Sequence, residues 1–359
     1  MEKKALIAMS GGVDSSVAAL LCQQAGFDCM GVTLKLYDNE DAGLPREKTC
    51  CSVDDVADAR SVAFRLGMPF YVFNFKEAFR REVMDRFVQA YERGETPNPC
   101  VDCNRYIKFE KLMRRGEEVG FPYIATGHYA RVEFDGAAGR WLLKKGLDEN
   151  KDQSYMLWSL TQWELSRLLL PLGGLTKERV RQLAEEHGFL NARKRDSQDI
   201  CFVPDGDYAA FIRRYAGKEF PPGAFVGTQG QVYGQHKGII HYTVGQRKGL
   251  GLSFPQPMFV KELDVEKNRV VLAKAEELFS QTVTARDVNL ISVESIPEPL
   301  RVKARSRYRQ KEQHATVLQT GPCELRVVFD QPQRAVTPGQ SLVLYDGDTV
   351  VGGGKIARK

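Results

Sequence analysis

Long apolar runs are missing from this 359-residue sequence. None approaches the roughly 18 residues of a membrane-spanning helix, and the apolar stretch at the start, Ala5 to Met9, is too short for a secretory signal. A cytoplasmic protein with no membrane role is expected. Strong charge of one sign is missing too: the net charge is +5, which by itself names no nucleic-acid partner. No internal repeat or low-complexity segment stands out, so the chain reads as ordinary globular domains. Histidine is scarce, at five, and a lone His128 would ordinarily be a turn or core residue. The eight cysteines lack the arrangement of a structural zinc site. Cys100-x-x-Cys103 has no second pair at matching spacing, and the adjacent Cys50-Cys51 point in diverging directions. In a reducing compartment, paired cysteines argue for chemistry, a metal or redox cycling before structural disulfides; Cys22, Cys29 and Cys323, without companions, read as packing residues.

At roughly 150 residues per domain the length fits two or three domains. Over the first two hundred residues short β-type runs (Ala5 to Met9, Met30 to Leu36, Pro69 to Phe75) alternate with amphipathic stretches (Ser15 to Gln24, Val53 to Leu66, Lys76 to Arg93). Gly26 and Gly67 stand where helices end, and Thr176 reads as an N-cap opening a helix that runs to His187 and stops at Gly188. This rhythm predicts an α/β fold with a doubly wound parallel sheet. After about Asp205 glycine, proline, aromatics and β-branched residues take over and helical periodicity fades; from about Thr282 short strands such as Leu325 to Phe329 and Ser341 to Tyr345 predict a small β-barrel or sandwich. Three domains are expected: 1–205 catalytic, 206–280 central and β-rich, 281–359 a C-terminal β-barrel.

Ser10-Gly11-Gly12-Val13-Asp14-Ser15-Ser16 lies between an apolar strand and a helix, the arrangement that binds phosphate. Glycines let the backbone close around oxygens, and the helix N-terminus supplies free N–H groups. The Gly-Lys-Ser/Thr ending of a Walker A loop is absent, which disfavours a kinase or GTPase. The loop resembles that of the ATP pyrophosphatases, which split ATP between the α and β phosphates and transfer AMP; Asp14 then suits a magnesium ion against the departing pyrophosphate. A tight turn without a ligand is the plain alternative.

Pro97 and Pro99 exclude a helical continuation in Thr96-Pro97-Asn98-Pro99-Cys100-Val101-Asp102-Cys103-Asn104, so Cys100 and Cys103 are expected on a loop. Cys201 lies just before the change of texture. If both segments end sheet strands, the three thiols converge on the nucleotide cleft.

Six motifs in order, Met9-Ser10-Gly11-Gly12-Val13-Asp14-Ser15-Ser16-Val17, Asn98-Pro99-x-x-x-Cys103-Asn104, Ala125-Thr126-Gly127-His128-Tyr129-Ala130-Arg131, Lys151-Asp152-Gln153-Ser154-Tyr155, Ser197-Gln198-Asp199-Ile200-Cys201-Phe202 and Tyr242-Thr243-Val244-Gly245-Gln246-Arg247-Lys248-Gly249-Leu250, resemble the tRNA 2-thiouridylase (MnmA/TrmU) family across nearly the whole chain. The resemblance implies an enzyme that uses ATP and Mg2+ to adenylate O2 of the uridine at tRNA wobble position 34. The oxygen is then replaced by sulfur from a persulfide donor, such as a cysteine desulfurase or sulfur relay protein. It implies ATP contacts at Ala8, Met9, Ser10, Gly11, Gly12, Val13, Asp14, Ser15, Leu34 and Gly127. It makes Cys201 the persulfide carrier and Cys103 the nucleophile, leaving a Cys103–Cys201 disulfide for a reductant. An equivalent route has Cys103 release sulfide that attacks instead. Contacts to the tRNA anticodon stem-loop carry over to Asn98, Pro99, Cys100, His128, Lys151, Asp152, Gln153, Arg307, Tyr308 and Gln340.

One position departs from the family. Many members carry Asp where this chain has Cys100, and a thiol with a reference pKa of about 8.5 does not inherit the proton transfer of a carboxylate near 3.9. Cys100, Cys103 and Cys201 offer a second reading, as ligands of a [4Fe-4S] cluster with one iron left open. Arg301, Lys303, Arg305, Arg307, Arg309 and Lys311 occupy alternate positions. On a strand they share one face at about 6.6 Å spacing, a solvated basic face or a phosphate-backbone track.

Overall fold

The computed structural model describes residues 2–38, 53–194 and 200–358; Cys50, Cys51 and Ser197-Gln198-Asp199 lie outside the described residues. The chain divides into two units. The first gathers Met1–Val83, Pro99–Gly206 and Asp348–Val351; the second gathers Met84–Asn98, Asp207–Gly347 and Gly352–Lys359.

In the first unit β1 (Lys4–Ala8), α1 (Val13–Gln24), β2 (Asp28–Lys35), α2 (Val53–Arg65) and β3 (Phe70–Asn74) alternate as expected. There follow β4 (Tyr123–Ala125), β5 (Ala130–Asp135), β6 (Arg140–Lys145), β7 (Leu168–Leu169) and α3 (Lys177–Glu186). The sheet order is β3-β2-β1-β4-β7, every pairing parallel. A parallel sheet is covered on both faces, which is why Ala5, Leu6 and Ile7 of its central strand are wholly buried. The strand order reverses at β1, and β1 is followed at its carboxyl end by the glycine loop, the place where such sheets bind ligands. Thr176 caps α3 by accepting the Arg179 N–H at 3.3 Å. The hairpin β5–β6 is antiparallel.

In the second unit β8 (Gly223–Gly227), β9 (Val232–His236), β10 (Phe259–Asp264) and β11 (Arg269–Ala273) form a sheet of order β10-β11-β8-β9. A six-strand barrel follows, from β12 (Phe279–Leu290), β13 (Leu300–Arg305), β14 (Gln313–Gly321), β15 (Glu324–Arg334), β16 (Ser341–Asp346) and β17 (Thr349–Ile356). Its order β12-β15-β14-β13-β16-β17 closes where Ala285 of β12 pairs with Ile356 of β17. Among the described residues no helix is long and apolar enough to cross a membrane.

Five local expectations need correction. The helix foreseen over Lys76 to Arg93 is α-helical at Lys76–Phe79 and Arg86–Glu92 but π-helical at Arg80–Asp85. Cys100 and Cys103 are helical, not on a loop: Pro99–Asp102 forms one helical turn that runs into a π-helix at Cys103–Lys111. Pro99 takes the first helical position, where the missing N–H costs nothing, so this proline opens a helix instead of excluding one. A helix, α4 (Tyr208–Ala216), interrupts the glycine-rich texture. Asp207 caps it through the Ala210 N–H at 2.9 Å, and Phe211 and Ile212 are its buried side. The basic alternation is a strand face only through Arg305, because the ladder ends there and residues 306–310 turn. Cys323 is no packing residue; it is exposed at the β14–β15 turn, whereas Cys22 and Cys29 are buried.

Candidate functional site: a braced nucleotide loop and three unequal thiols

Between Ala8 and Val13 the chain must turn from a buried strand into a helix. Met9 still belongs to the sheet: its N–H donates to Val32 at 2.8 Å and its carbonyl accepts the Thr33 hydroxyl at 2.7 Å. Gly11 then takes φ 75°, where an L side chain is strained, and a Cβ there would also overlap the Asp55 carbonyl. Serines hold the turn from within. The Ser15 hydroxyl accepts the Ser10 N–H at 3.2 Å and donates to the Gly12 carbonyl at 3.0 Å, and Ser16 donates to the same carbonyl at 3.1 Å. From outside, the Asn191 amide donates to the Gly11 carbonyl and the Ser16 hydroxyl, both at 2.9 Å. Lys194 ties the loop to α2, reaching Asp55 and Asp58 at 2.6 Å each and Gly11 at 3.4 Å. Burial acts to lower the Lys194 pKa, but the two carboxylates outweigh it and hold the ammonium charged above its ordinary value. No side chain caps α1, so its first-turn N–H groups remain for an anion.

Asp14 does not stand open to solvent. Lys177 donates to its two carboxylate oxygens at 2.7 and 2.8 Å, and the Tyr129 hydroxyl donates at 2.7 Å. Lys177 is the first residue of α3, where the helix dipole disfavours a positive charge; the Asp14 carboxylate offsets that. Tyr129 is positioned in turn by Gln153, whose side-chain oxygen accepts the Tyr129 N–H at 3.0 Å and whose own N–H donates to the Tyr129 carbonyl at 2.9 Å. Asp152, to which the resemblance assigns a tRNA contact, is buried and accepts the Gly146 and Ser154 N–H groups at 3.1 Å each and the Ser154 hydroxyl at 3.0 Å. Gln153, with Asp152 holding Gly146 and Ser154, is therefore the brace behind Tyr129. Gly127 meets the loop closely: a Cβ there would lie 2.7 Å from the Asp14 carbonyl carbon and 2.8 Å from the Ser15 nitrogen.

Ala8 to Ser15 and Gly127 thus form one neighbourhood, with Leu34 on the adjoining parallel strand. Lys177, Asn191 and Lys194 escaped the sequence reading. For Lys177 a signal existed, a lysine directly after an N-cap, since a cation at that place calls for a carboxylate.

The three thiols differ. Cys100 is exposed, Cys103 is buried and Cys201 is half-buried. Burial pushes the Cys103 thiol up to about 11, with the Lys108 charge pulling the other way. Burial also holds the His128 imidazole well below 6.5, and Lys108 adds to that. His128 Nδ1 lies 2.8 Å from the Thr126 hydroxyl, and its ring is tilted against Phe109 at 5.8 Å. Lys108 therefore favours the thiolate at Cys103 and the neutral ring at His128. Asn104 donates to the Met156 carbonyl at 3.1 Å, while its buried Oδ1 has no partner. The Cys201 carbonyl accepts the Tyr37 hydroxyl at 2.6 Å; Phe202 stands edge-on to Phe79 at 5.7 Å, and Phe79 packs on Tyr37. Among the described residues no three His, Cys, Asp or Glu side chains are grouped to hold a metal ion. Cys100, Cys103 and Cys201, all among the described residues, are not brought together as such a group, so as placed here they do not fit an iron–sulfur cluster.

In the second unit, Arg307 donates to the carbonyls of Val244 (3.3 Å) and Ala335 (2.5 Å) and to the Thr337 hydroxyl (2.6 Å). It locks the turn in which half-buried Tyr308 sits. Gln340 donates to the Thr96 carbonyl at 2.7 Å, two residues before Asn98.

Family models match along the chain. Residues 3–205 match the tRNA methyl transferase HUP domain, 209–274 the tRNA methyl transferase PRC-barrel domain, and 280–356 the aminomethyltransferase beta-barrel domain. The tRNA-specific 2-thiouridylase MnmA of Clostridioides difficile (strain 630) is 49% identical over 358 residues, covering 100% of this chain and 99% of that protein. The protein of the same name from Acetivibrio thermocellus is 50% identical over 356 residues, covering 99% of each. Among solved structures, a 4-thiouridine synthetase–RNA complex with bound ATP aligns at TM-score 0.36 and 19% identity, over 60% of this chain and 50% of that one, a likeness too loose to bear on function.

Proposed function

This chain belongs to the tRNA-specific 2-thiouridylase family, and we propose that it thiolates the uridine at tRNA wobble position 34 in the cytoplasm, spending ATP as AMP and pyrophosphate. The observation that carries this reading is near-half identity to thiouridylases along the whole chain. The braced loop supports it, since an uncapped α1 offers N–H groups to a triphosphate. Magnesium carried on the triphosphate would neutralise the departing pyrophosphate, with Asp14 as the loop carboxylate beside it.

A uridine carbonyl oxygen leaves poorly; transfer of the adenylyl group of ATP onto O2, with release of pyrophosphate, lets that oxygen depart later as part of AMP. The terminal sulfur of a Cys201 persulfide, loaded by a cysteine desulfurase or relay protein, then attacks C2 and AMP departs. The Cys103 thiolate attacks the Cys201 sulfur next. The bond between the two sulfurs breaks, its electrons stay on the sulfur now bound to C2, and 2-thiouridine and a Cys103–Cys201 disulfide remain. A thiol reductant restores both thiols. Cys103 must lose its proton first, and the Lys108 charge favours that step. In this reading Asn98 and Pro99 border the flipped base, and Cys100, His128, Lys151, Arg307, Tyr308 and Gln340 contact the tRNA. Asp152 and Gln153 act on tRNA through Tyr129 and the loop. Because the three thiols do not fit an iron–sulfur cluster, no step passes through one.

Nucleoside mass spectrometry of tRNA incubated with the protein, ATP and sulfide tests this. We expect 2-thiouridine with matching AMP; folded protein that yields none overturns it.

A further inference from the structure

The second unit holds a cavity of about 530 Å³, large enough for a nucleotide. Of its walls the tRNA contacts above include only Arg307, and that guanidinium is spent on Val244, Ala335 and Thr337. The floor is a closed chain of amides. Gln310 Oε1 accepts the Ser306 hydroxyl at 2.7 Å, and Gln310 Nε2 donates to Gln333 Oε1 at 2.6 Å, with Gln333 only 5% exposed. Such a floor is rigid and has little left to offer a ligand.

Phe279, Arg309, Gln331 and Arg334 above it are exposed. Phe279 is 49% exposed, an unusual place for a phenylalanine at the start of a strand. Across the ladder it pairs with exposed Arg334, whose guanidinium lies 4.6 Å from the Phe259 ring centroid. The β12–β15 register slips between Ser280 and Thr282, which leaves Gln331 and Pro332 outside that ladder at the cavity rim. Exposed Arg309 adds a second cation from the turn after β13. An aromatic platform, two guanidinium groups and the amides of Gln313 and Gln331 beside a rigid floor are what a single unstacked nucleotide needs.

We propose that this cavity binds one tRNA nucleotide besides the target uridine, its base stacked on Phe279, its edge read by Gln331 and Gln313, and its phosphate held by Arg309 and Arg334. The proposal rests on the reading that tRNA is the substrate. The amides discriminate between bases, so the pocket contributes to the choice of tRNA.

Fluorescence anisotropy of a labelled anticodon stem-loop RNA with the full chain tests it. Phe279→Ala and Phe279→Leu should each weaken binding roughly tenfold, and Phe279→Trp should keep it within about twofold, because stacking needs a ring. Arg309→Gln should flatten the slope of log K against log salt by about 0.7, one phosphate contact to a single strand. If Phe279→Leu binds like the wild type, the contact is merely apolar, as a protein partner would make it, and the proposal falls; an unchanged salt slope also overturns it. Nucleoside analysis on the same preparations separates the two readings. Thiolation with RNA affinity indifferent to Phe279 removes the pocket and leaves the reaction. Phe279-dependent binding without any 2-thiouridine removes the reaction and leaves the pocket.

Discussion

The nucleotide loop and the thiols share the first unit, yet they are finished to different degrees. Every carbonyl and carboxylate named in the loop has its partner, from Lys177 and Tyr129 on Asp14 to Asn191 on Gly11. The thiols lie at three depths, and Cys103, the deepest of the three, is a protonated thiol with a pKa near 11. The contrast has a physical sense. Phosphate binding gains from dipoles set before the ligand arrives, whereas a thiolate next to a persulfide, held ready without substrate, would react with whatever entered.

Three changes test that contrast. The largest effect is expected from Cys201→Ser: thiolation falls by roughly a thousandfold or more while RNA affinity stays within about twofold. Thiolation that survives in this variant would give the sulfur transfer to another group. Gly127→Ala should strike the finished half, since its Cβ meets Asp14 and Ser15 at 2.7 and 2.8 Å. We expect a stability loss of about 1–3 kcal/mol and a fall in AMP formation of up to about a hundredfold, read by urea denaturation and AMP release. A variant with wild-type AMP release would mean the loop is less rigid than its hydrogen bonds imply.

The smallest effect concerns His128. Its folded pKa lies below the unfolded value, so near pH 6.5 and below the unfolded chain binds a proton that the folded ring refuses. Its contribution to stability is present above about pH 6.5 and is lost as pH falls from there, by at most about 1.4 kcal/mol per pH unit. Urea midpoints at pH 7 and pH 5 should therefore drop less in His128→Asn than in the wild type. Equal drops in the two proteins would show the ring already charged when folded.

Much of the fold was legible in the sequence where its determinants are local. The strand runs Ala5 to Met9 and Met30 to Leu36 and the caps Thr176 and Gly188 signal themselves within a few residues. Pro99 misled for the same local reason, because a proline excludes the middle of a helix and favours its first position. Helix α4 was hidden by its flanks, a nine-residue segment set in glycine and proline. The basic alternation from Arg301 to Lys311 was genuine as spacing and wrong as a surface. The ladder ends at Arg305, Arg301 already forks onto Asp330 at 2.9 and 2.8 Å, and Arg307 faces protein carbonyls.

The sequence by itself determined the Ser10 to Ser16 loop, because a strand-to-helix turn at Gly11 and Gly12 depends on φ angles and hydroxyls within six residues of one another. Only the tertiary structure decided what Asp14 does. Its partner Lys177 stands 163 residues away, and a half-buried carboxylate is held by whichever cation the fold brings to it, which no spacing along the chain can state.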